Sequence, residues 1–503
     1  MRPTGSPATP AIVIAAAGDL DAGLIRRTAA GQRIELAPAL LADVDRQCRA
    51  AREVLGGGDP VYGVNTGMGA LSGVRLTGPE QLAHQRNLLL ARATGGPPWL
   101  DATDVRAIIA VRLRTFLSGD SGVSAALCQQ LAGLLESGVA PAVPRTGVGS
   151  AGEIIPLAHA FGPLVGIGQV LGRAGRAVPA AEALRARGLG RCRLGPREGH
   201  ALLAGVPGTT ALCLMRLAEA GVLEAAMESA AALSIVAAGA SRDPYAAACA
   251  RGDDLLAAVL GRLRAAVGGL PEPRALQAPV SFRVAGPVLA HVLRAGDALA
   301  AATERALAGA TDSPAFLDGR FTGTAGFHGI DLAAHCDLLT AALAHAAEVS
   351  AARLHRLLDT RVTGLPTQLA AQPGPDAGLV AVHKRAVGEA HALRRLAIPA
   401  PIGLAETSGG QEDVQPFAWE AAEALRGALH HARAVTACEL LAGYRACSLS
   451  PRAAPDGCHQ ALARLAGIVG PVGGDRPFGE DIERILGVLR TGGLDLASGR
   501  GKE

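Results

Sequence analysis

The sequence predicts a mainly α protein, a bundle of long helices fronted by a loop-rich N-terminal region. Beyond residue 209 the chain is dominated by alanine- and leucine-rich runs with few internal breakers, and alanine is the best helix former. Candidate strands are few and short. Aromatic residues make up only 3% of the 503 residues, so aliphatic side chains and alanine must fill the core. Alanine stripes let helices approach closely, as a bundle requires.

Residues 1–10 read as a loose tail, and the apolar run from Ala11 to Gly18 as a buried first strand. Helical periodicity covers 39–56, with Leu40, Leu41, Val44, Cys48 and Leu55 on one side, and Gly56-Gly57-Gly58-Asp59-Pro60 ends it. A glycine-rich loop follows from Tyr62 to Gly69. Further helices are expected over 80–92 and 104–118, then over 210–240, 286–310, 331–358, 377–396, 416–446 and 479–490, with breaks near Gly268–Pro271, Gln372–Pro375 and Pro399–Pro401. This gives an N-terminal active-site region over 11–209, a central long-helix bundle over 210–450 and a C-terminal helical region over 451–503. No repeat of fixed period is present.

Net charge is +3 with 18% charged residues and no Lys/Arg-rich run, which argues against a nucleic-acid partner. No apolar run is expected to span a bilayer, so no membrane partner is expected. The nine cysteines are scattered and never in CxxC spacing; reduced thiols in a cytoplasmic protein are the simplest reading, and no metal site is expected. His159 and His328 read as buried, hydrogen-bonded histidines, and His430-His431 as a helix surface. The Gly63/Gly67/Gly69 loop lacks the Lys-Ser/Thr of a phosphate cradle.

Six separated segments carry the chemistry. They are Tyr62-Gly63-Val64-Asn65-Thr66-Gly67-Met68-Gly69; residues 144–159, with Gly149-Ser150-Ala151-Gly152 at their centre; Ser281-Phe282-Arg283, preceded by Gln277 and Pro279; Asp312-Ser313-Pro314; Gly326-Phe327-His328; and Thr407-Ser408-Gly409-Gly410-Gln411-Glu412-Asp413. In this order they resemble the aromatic amino acid lyase family, which includes histidine and phenylalanine ammonia-lyases. The resemblance implies the family's long-helix bundle, of the fumarase/aspartase-like type, and a homotetramer with active sites shared between subunits. It also implies that Tyr62 is the base that removes a β-proton, that Arg283 pairs with the substrate carboxylate, and that Asn65, Gln277 and Phe327 help bind substrate. Tyr62 sits in a glycine-rich loop, and a free tyrosine titrates near ~10, so base work calls for positive charge nearby. Arg283 offers a planar fork suited to a carboxylate, though a structural salt bridge uses the same geometry.

The departures from the family cluster at the chemistry. The family builds its methylidene-imidazolone (MIO) electrophile from an Ala-Ser-Gly triplet, and the carbon that becomes electrophilic is the serine Cβ. Here that residue is Ala151, between Ser150 and Gly152, so no MIO cofactor is expected. Ala204-Gly205-Val206 replaces the family's Asn-Gly-Thr, Val280 replaces a tyrosine, and Arg92 stands where histidine-specific members carry a ring-binding histidine. Lys384 lies on a usually apolar helix; flanked by His383 and Arg385, it is either a catalytic cation or a solvated helix face. Arg92 either serves the site or pairs with Glu80.

A quaternary ammonium needs no electrophile, because it leaves as a neutral amine. Loss of the MIO therefore resembles the ergothionase branch of the family, which converts ergothioneine to trimethylamine and thiolurocanate. On this reading the substrate is a histidine-type betaine, with Tyr62, Lys384 and Glu412 catalytic. Glu412 would lie beside the cationic head or relay a proton, and Phe327 would face the methylated ammonium with an attraction of roughly 0.5–2 kcal/mol. An ammonia-lyase or aminomutase acting on an aromatic amino acid, and an inactive amino-acid-binding homologue, are the alternatives.

Overall fold

A computed structural model of the chain describes residues 10–172, 175–269 and 272–491. It is mainly α-helical, and each of its strands has three residues. Of the expected tail, residues 1–9 lie outside the described residues, as do Leu270 and Pro271 of one expected break. The chain forms two compact units. Among the described residues, one comprises 10–215, 300–334 and 399–423, the other 216–299, 335–398 and 424–491.

In the first unit, the strand Ile12–Ile14 pairs in parallel with Ile34–Leu36, which confirms a strand in the first apolar run. Asp21 accepts from Leu24 N–H to cap the helix Ala22–Ala29. That helix packs against Ala102–Leu117, which also carries Ala125–Ser137. The Arg106 guanidinium fastens this packing by donating to the carbonyls of Thr28, Ala29 and Leu135. The helix Pro38–Gly56 ends at the expected glycines. The helix Gly78–Arg92 starts at a Thr77/Glu80 capping box, in which Glu80 accepts from Thr77 N–H and hydroxyl.

A buried charge cluster fixes the floor of this unit. Arg112 pairs with Asp312 at 2.8 Å, with both side chains almost fully buried. Asp312 also accepts from the Ser121 hydroxyl, and Arg112 donates to the Ala204 carbonyl. Burial alone would raise the Asp312 carboxyl, but Arg112 and Arg197 outweigh it and hold it below the usual range. Glu198 accepts from the N–H and hydroxyl of Ser124 and from Gly195 N–H.

The second unit holds a comparable knot. Glu439 pairs with Arg353 at 2.6 Å and accepts from Ser234 and Ser350. Its helices come close because small residues line them; a Cβ on Gly443 would lie 2.9 Å from that of Leu233.

The long helices run Pro207–Ala238, Ala285–Ala308, Ile330–Leu357, Val380–Leu396, Ala418–Leu449 and Phe478–Thr491. The fourth starts three residues later than expected, because Ala377 and Gly378 donate their N–H groups to Asp475 and Gly378 adopts a left-handed conformation. One expectation is corrected. The helical run Glu198–Ala238 is long and apolar enough to cross a membrane, with a mean hydropathy of 1.5 over its most apolar 18 residues; that stretch is 78% buried inside the protein, as in a core helix.

Candidate active site

A cavity of about 560 Å³ opens in the first unit, a size typical of small-molecule sites (roughly 300–1,000 Å³). The loop carrying Tyr62, the loop at 146–152, His200 and the end of the helix Glu198–Leu203 with Ala204 and Gly205, and the segment 411–414 build its walls, together with Ser313, Phe321 and Phe327.

The Tyr62 loop is held from within. The buried Asn65 amide accepts from Val61 N–H at 2.7 Å and donates to the Asp59 carbonyl at 2.7 Å. Both ends of Asn65 thus serve the loop backbone, and its role here is to position Tyr62. The Tyr62 hydroxyl accepts from Gly69 N–H at 2.8 Å and lies 3.5 Å from Gln411 Oε1. Gly63 has φ +68°, and a Cβ there would lie 2.4 Å from the His200 ring, so glycine lets this loop close onto the imidazole.

The loop at 146–152 brings Ala151 and Gly152 to the cavity wall. Ala151 N–H donates to Glu412 Oε2 at 3.0 Å, and the Ser150 hydroxyl donates to the Gly152 carbonyl at 2.7 Å. Next along the chain, buried Glu153 accepts from the N–H groups of Gly208 and Thr209, both at 2.7 Å, tying the loop to the start of the helix Pro207–Ala238. Burial pushes the Glu153 carboxyl up to about 7, against the pull of those donors and of Arg112. The loop does not fit the MIO group. The only hydroxyl of the triplet belongs to Ser150, on the residue before the position whose Cβ must lose it, and Ala151 presents a methyl group.

Glu412 is the polar hub. Besides Ala151 N–H, it accepts from the hydroxyls of Thr407 at 2.9 Å and Ser408 at 3.2 Å. Arg92 ends the helix Gly78–Arg92 and reaches Met68 Sδ at 3.7 Å, which lines the cavity. Burial lowers the Arg92 pKa, and the charges of Tyr62 and Glu412 oppose that fall. Arg92 therefore carries positive charge towards both, and it makes no pair with Glu80, which is spent on Thr77.

The structure brings together Tyr62, Ala151, Gly152, Phe327 and Glu412, with Asn65, Ser150 and Arg92 in direct support. It does not bring Gln277, Arg283 or Lys384 to this cavity; all three belong to the second unit. Gln277 lines a separate cavity there with Arg274 and Arg361, Arg283 has a buried Nε without a partner among the described residues, and Lys384 is exposed on its helix. Ala204 lines the site, whereas Val280 is 58% exposed in the second unit. His159 is buried between Gly95 N–H and the Ala142 carbonyl, as expected, but His328 lines the cavity. Among the described residues no group of His, Cys, Asp and Glu has the geometry to hold a metal ion. Sequence reasoning missed His200, whose signal is a histidine within Glu198-Gly199-His200-Ala201-Leu202-Leu203.

The sequence profile described as aromatic amino acid lyase matches residues 20–466. The chain belongs to the aromatic amino acid lyase family. Among curated relatives, a histidine ammonia-lyase of Streptomyces coelicolor is 34% identical over 97% of this chain and 98% of its own length. A histidine ammonia-lyase of Rhodospirillum rubrum is 33% identical over 88% of each. The fold of this aromatic amino acid lyase family member is that of ergothionase from Treponema denticola, solved with desmethyl-ergothioneine sulfonic acid, with a TM-score of 0.90 at 22% identity, covering 96% of this chain and 99% of that one. Tyrosine aminomutase from Streptomyces globisporus aligns with a TM-score of 0.89 at 25% identity, covering 96% and 98%. The mainly helical lyase fold expected from the sequence is thus the fold observed.

Proposed function

We propose that this member of a family of carbon–nitrogen lyases eliminates trimethylamine from a histidine-type betaine, ergothioneine in the first instance, without an MIO. One observation carries the reading: a phenol and a carboxylate, Tyr62 and Glu412, share a cavity in which the electrophile position is the methyl group of Ala151. An amine that departs poorly has no help from such a site, but a trimethylammonium already bears its positive charge. Tyr62, deprotonated, takes the β-proton. The C–H electron pair becomes the Cα–Cβ double bond, the Cα–N bond breaks, and its electrons leave on neutral trimethylamine. The tyrosine proton then returns to solvent. Arg92 stabilises the developing negative charge, the kind of electrostatic contribution that is usually the largest in catalysis. Glu412 balances the cationic head, and Phe327 offers it an aromatic face.

The reading includes a homotetramer with shared sites, through which Gln277, Arg283 and Lys384 would join the cavity residues, with Arg283 clamping the substrate carboxylate. It also includes a cytoplasmic location, suggested by nine free, scattered cysteines. The test is incubation with ergothioneine. Release of trimethylamine with a new long-wavelength absorbing product supports the proposal; binding without turnover rejects it in favour of an inactive homologue. Intact-mass measurement should give the unmodified chain, and a mass lower by two waters would overturn the MIO-free step. The histidine ammonia-lyase relatives favour one second reading, ammonia release from histidine, which the same assay with histidine as substrate decides.

A further inference from the structure

His200 lines the cavity outside the family motifs and is far more enclosed than Arg92. Its side chain is 2% exposed yet lines the cavity. Three neighbours hold it. Its backbone N–H donates to Gln85 Oε1 at 2.9 Å, Gly63 approaches so closely that a Cβ there would fall 2.4 Å from its Cδ2, and its ring stands edge-on to Tyr62, with centroids 6.2 Å apart. Among the described residues neither ring nitrogen has a hydrogen-bond partner; Nδ1 is closed off from the cavity, which leaves Nε2 as the nitrogen a ligand would meet. His84, on the helix Gly78–Arg92, likewise has a buried Nε2 without a partner. A buried polar nitrogen left unpaired costs free energy that a ligand atom can recover.

We propose that His200 is a specificity-determining residue that reads a hydrogen-bonding heteroatom on the substrate ring, so that the cavity selects azole-bearing acids over phenyl-bearing ones. The imidazole is rigidly seated and adjoins the group assigned as base, so a ring bonded to it is fixed relative to Tyr62. Burial, followed by the charge of Arg197, pushes the His200 pKa down to about 3, so the ring is neutral and offers one N–H and one lone pair. A neutral donor–acceptor suits an uncharged azole or thio-azole. An aryl ring would leave the imidazole unpaired and be rejected for that reason.

This inference rests on the cavity being the substrate site, but not on its chemistry, so its test is a binding measurement. Imidazole-acrylic and phenyl-acrylic acids lack the amine and cannot react. By calorimetric titration, the wild-type protein should bind the imidazole acid roughly tenfold more tightly, and His200→Leu should abolish that preference. His200→Asn, which retains a donor and an acceptor, should restore part of it. In the wild-type protein, methylating one probe ring nitrogen at a time keeps the azole uncharged, and at the nitrogen bonded to His200 it should cost a similar roughly tenfold factor, a readout independent of any variant's folding. A wild-type protein without ring preference, a variant that keeps it, or indifference to methylation would each overturn the assignment. Failure to turn over ergothioneine while the azole preference persists would reject the proposed reaction and leave the role of His200 standing.

Discussion

The Glu412 carboxylate accepts the backbone N–H of Ala151 at 3.0 Å. The position that would carry the family's electrophile is thereby fixed through its main chain by an acidic residue from a separate segment, while its side chain contributes only a methyl group to the wall. Thr407 and Ser408 add their hydroxyls to the same carboxylate, so an anion at 412 organises both loops at once. The loop at 146–152 retains its scaffold without the hydroxyl its chemistry elsewhere depends on.

Glu412→Gln tests that organisation. An amide keeps the shape but accepts at only one atom, and its NH2 would face a donor now bonded to carboxylate. Leaving a donor unpaired costs about 1–3 kcal/mol, so a lower melting temperature and a marked fall in ergothioneine turnover are expected. Unchanged turnover in the folded variant would remove Glu412 from the catalytic set.

Tyr62→Phe should abolish turnover, by roughly 10²–10⁴-fold if proton abstraction is lost. The fold should persist, because the substitution surrenders the acceptor for Gly69 N–H, a loss of about 1 kcal/mol, and a long 3.5 Å contact to Gln411 Oε1. Turnover and circular dichroism measured on the same preparation check both halves. Substantial residual activity in a well-folded variant would reject Tyr62 as the base.

The helical class and most long helices were legible because alanine-rich runs with few breakers leave little else to form. Tyr62, Ala151, Phe327 and Glu412, named from separate motifs, line one cavity, and those segments lie within one compact unit. The helix Asp456–Ile468 was not picked out by itself within the helical region expected over 451–503, because its buried stripe is only Cys458, Ala461 and Leu465. Nor was the use of Asn65, since a substrate-binding amide and one that clasps its own loop look alike until the acceptors are seen. His200 was hidden for a related reason: a histidine in an apolar helical segment reads as core, and only the cavity beside it and its unpaired nitrogen distinguish it.

Arg112 and Asp312 form a buried pair beneath the site, and breaking one side should be severe. Arg112→Met would strand the Asp312 carboxylate and lose the bond to the Ala204 carbonyl, at a cost of about 3–5 kcal/mol. Arg112→Met/Asp312→Asn together should recover only part of that loss, because the carboxylate is no longer stranded but buried Arg197 loses the charge that faces it. Chemical denaturation of the single and double variants measures the difference; a double variant no better than the single would mean that shape, rather than charge, sets the cost.

His200 also imposes a pH dependence on stability. Its folded pKa is depressed to about 3 by burial, by the charges of Arg197 and Arg92 and by His84, with Asp312 opposing. An unfolded histidine titrates near ~6.5. Above that value neither state binds the proton, and the neutral ring carries no penalty. As pH falls below it, the unfolded chain takes up a proton that the folded chain refuses, so stability is lost progressively towards pH 3, at up to ~1.4 kcal/mol per pH unit. Other depressed histidines, among them His84 and His159, add to the same slope, so the measurement must be a difference. Wild-type stability should fall more steeply than that of His200→Leu between pH 7 and pH 5, and the two curves should run parallel above pH 7. Parallel curves throughout would show that the imidazole is solvated or protonated in the folded protein, and would remove the neutral donor–acceptor on which ring selection depends.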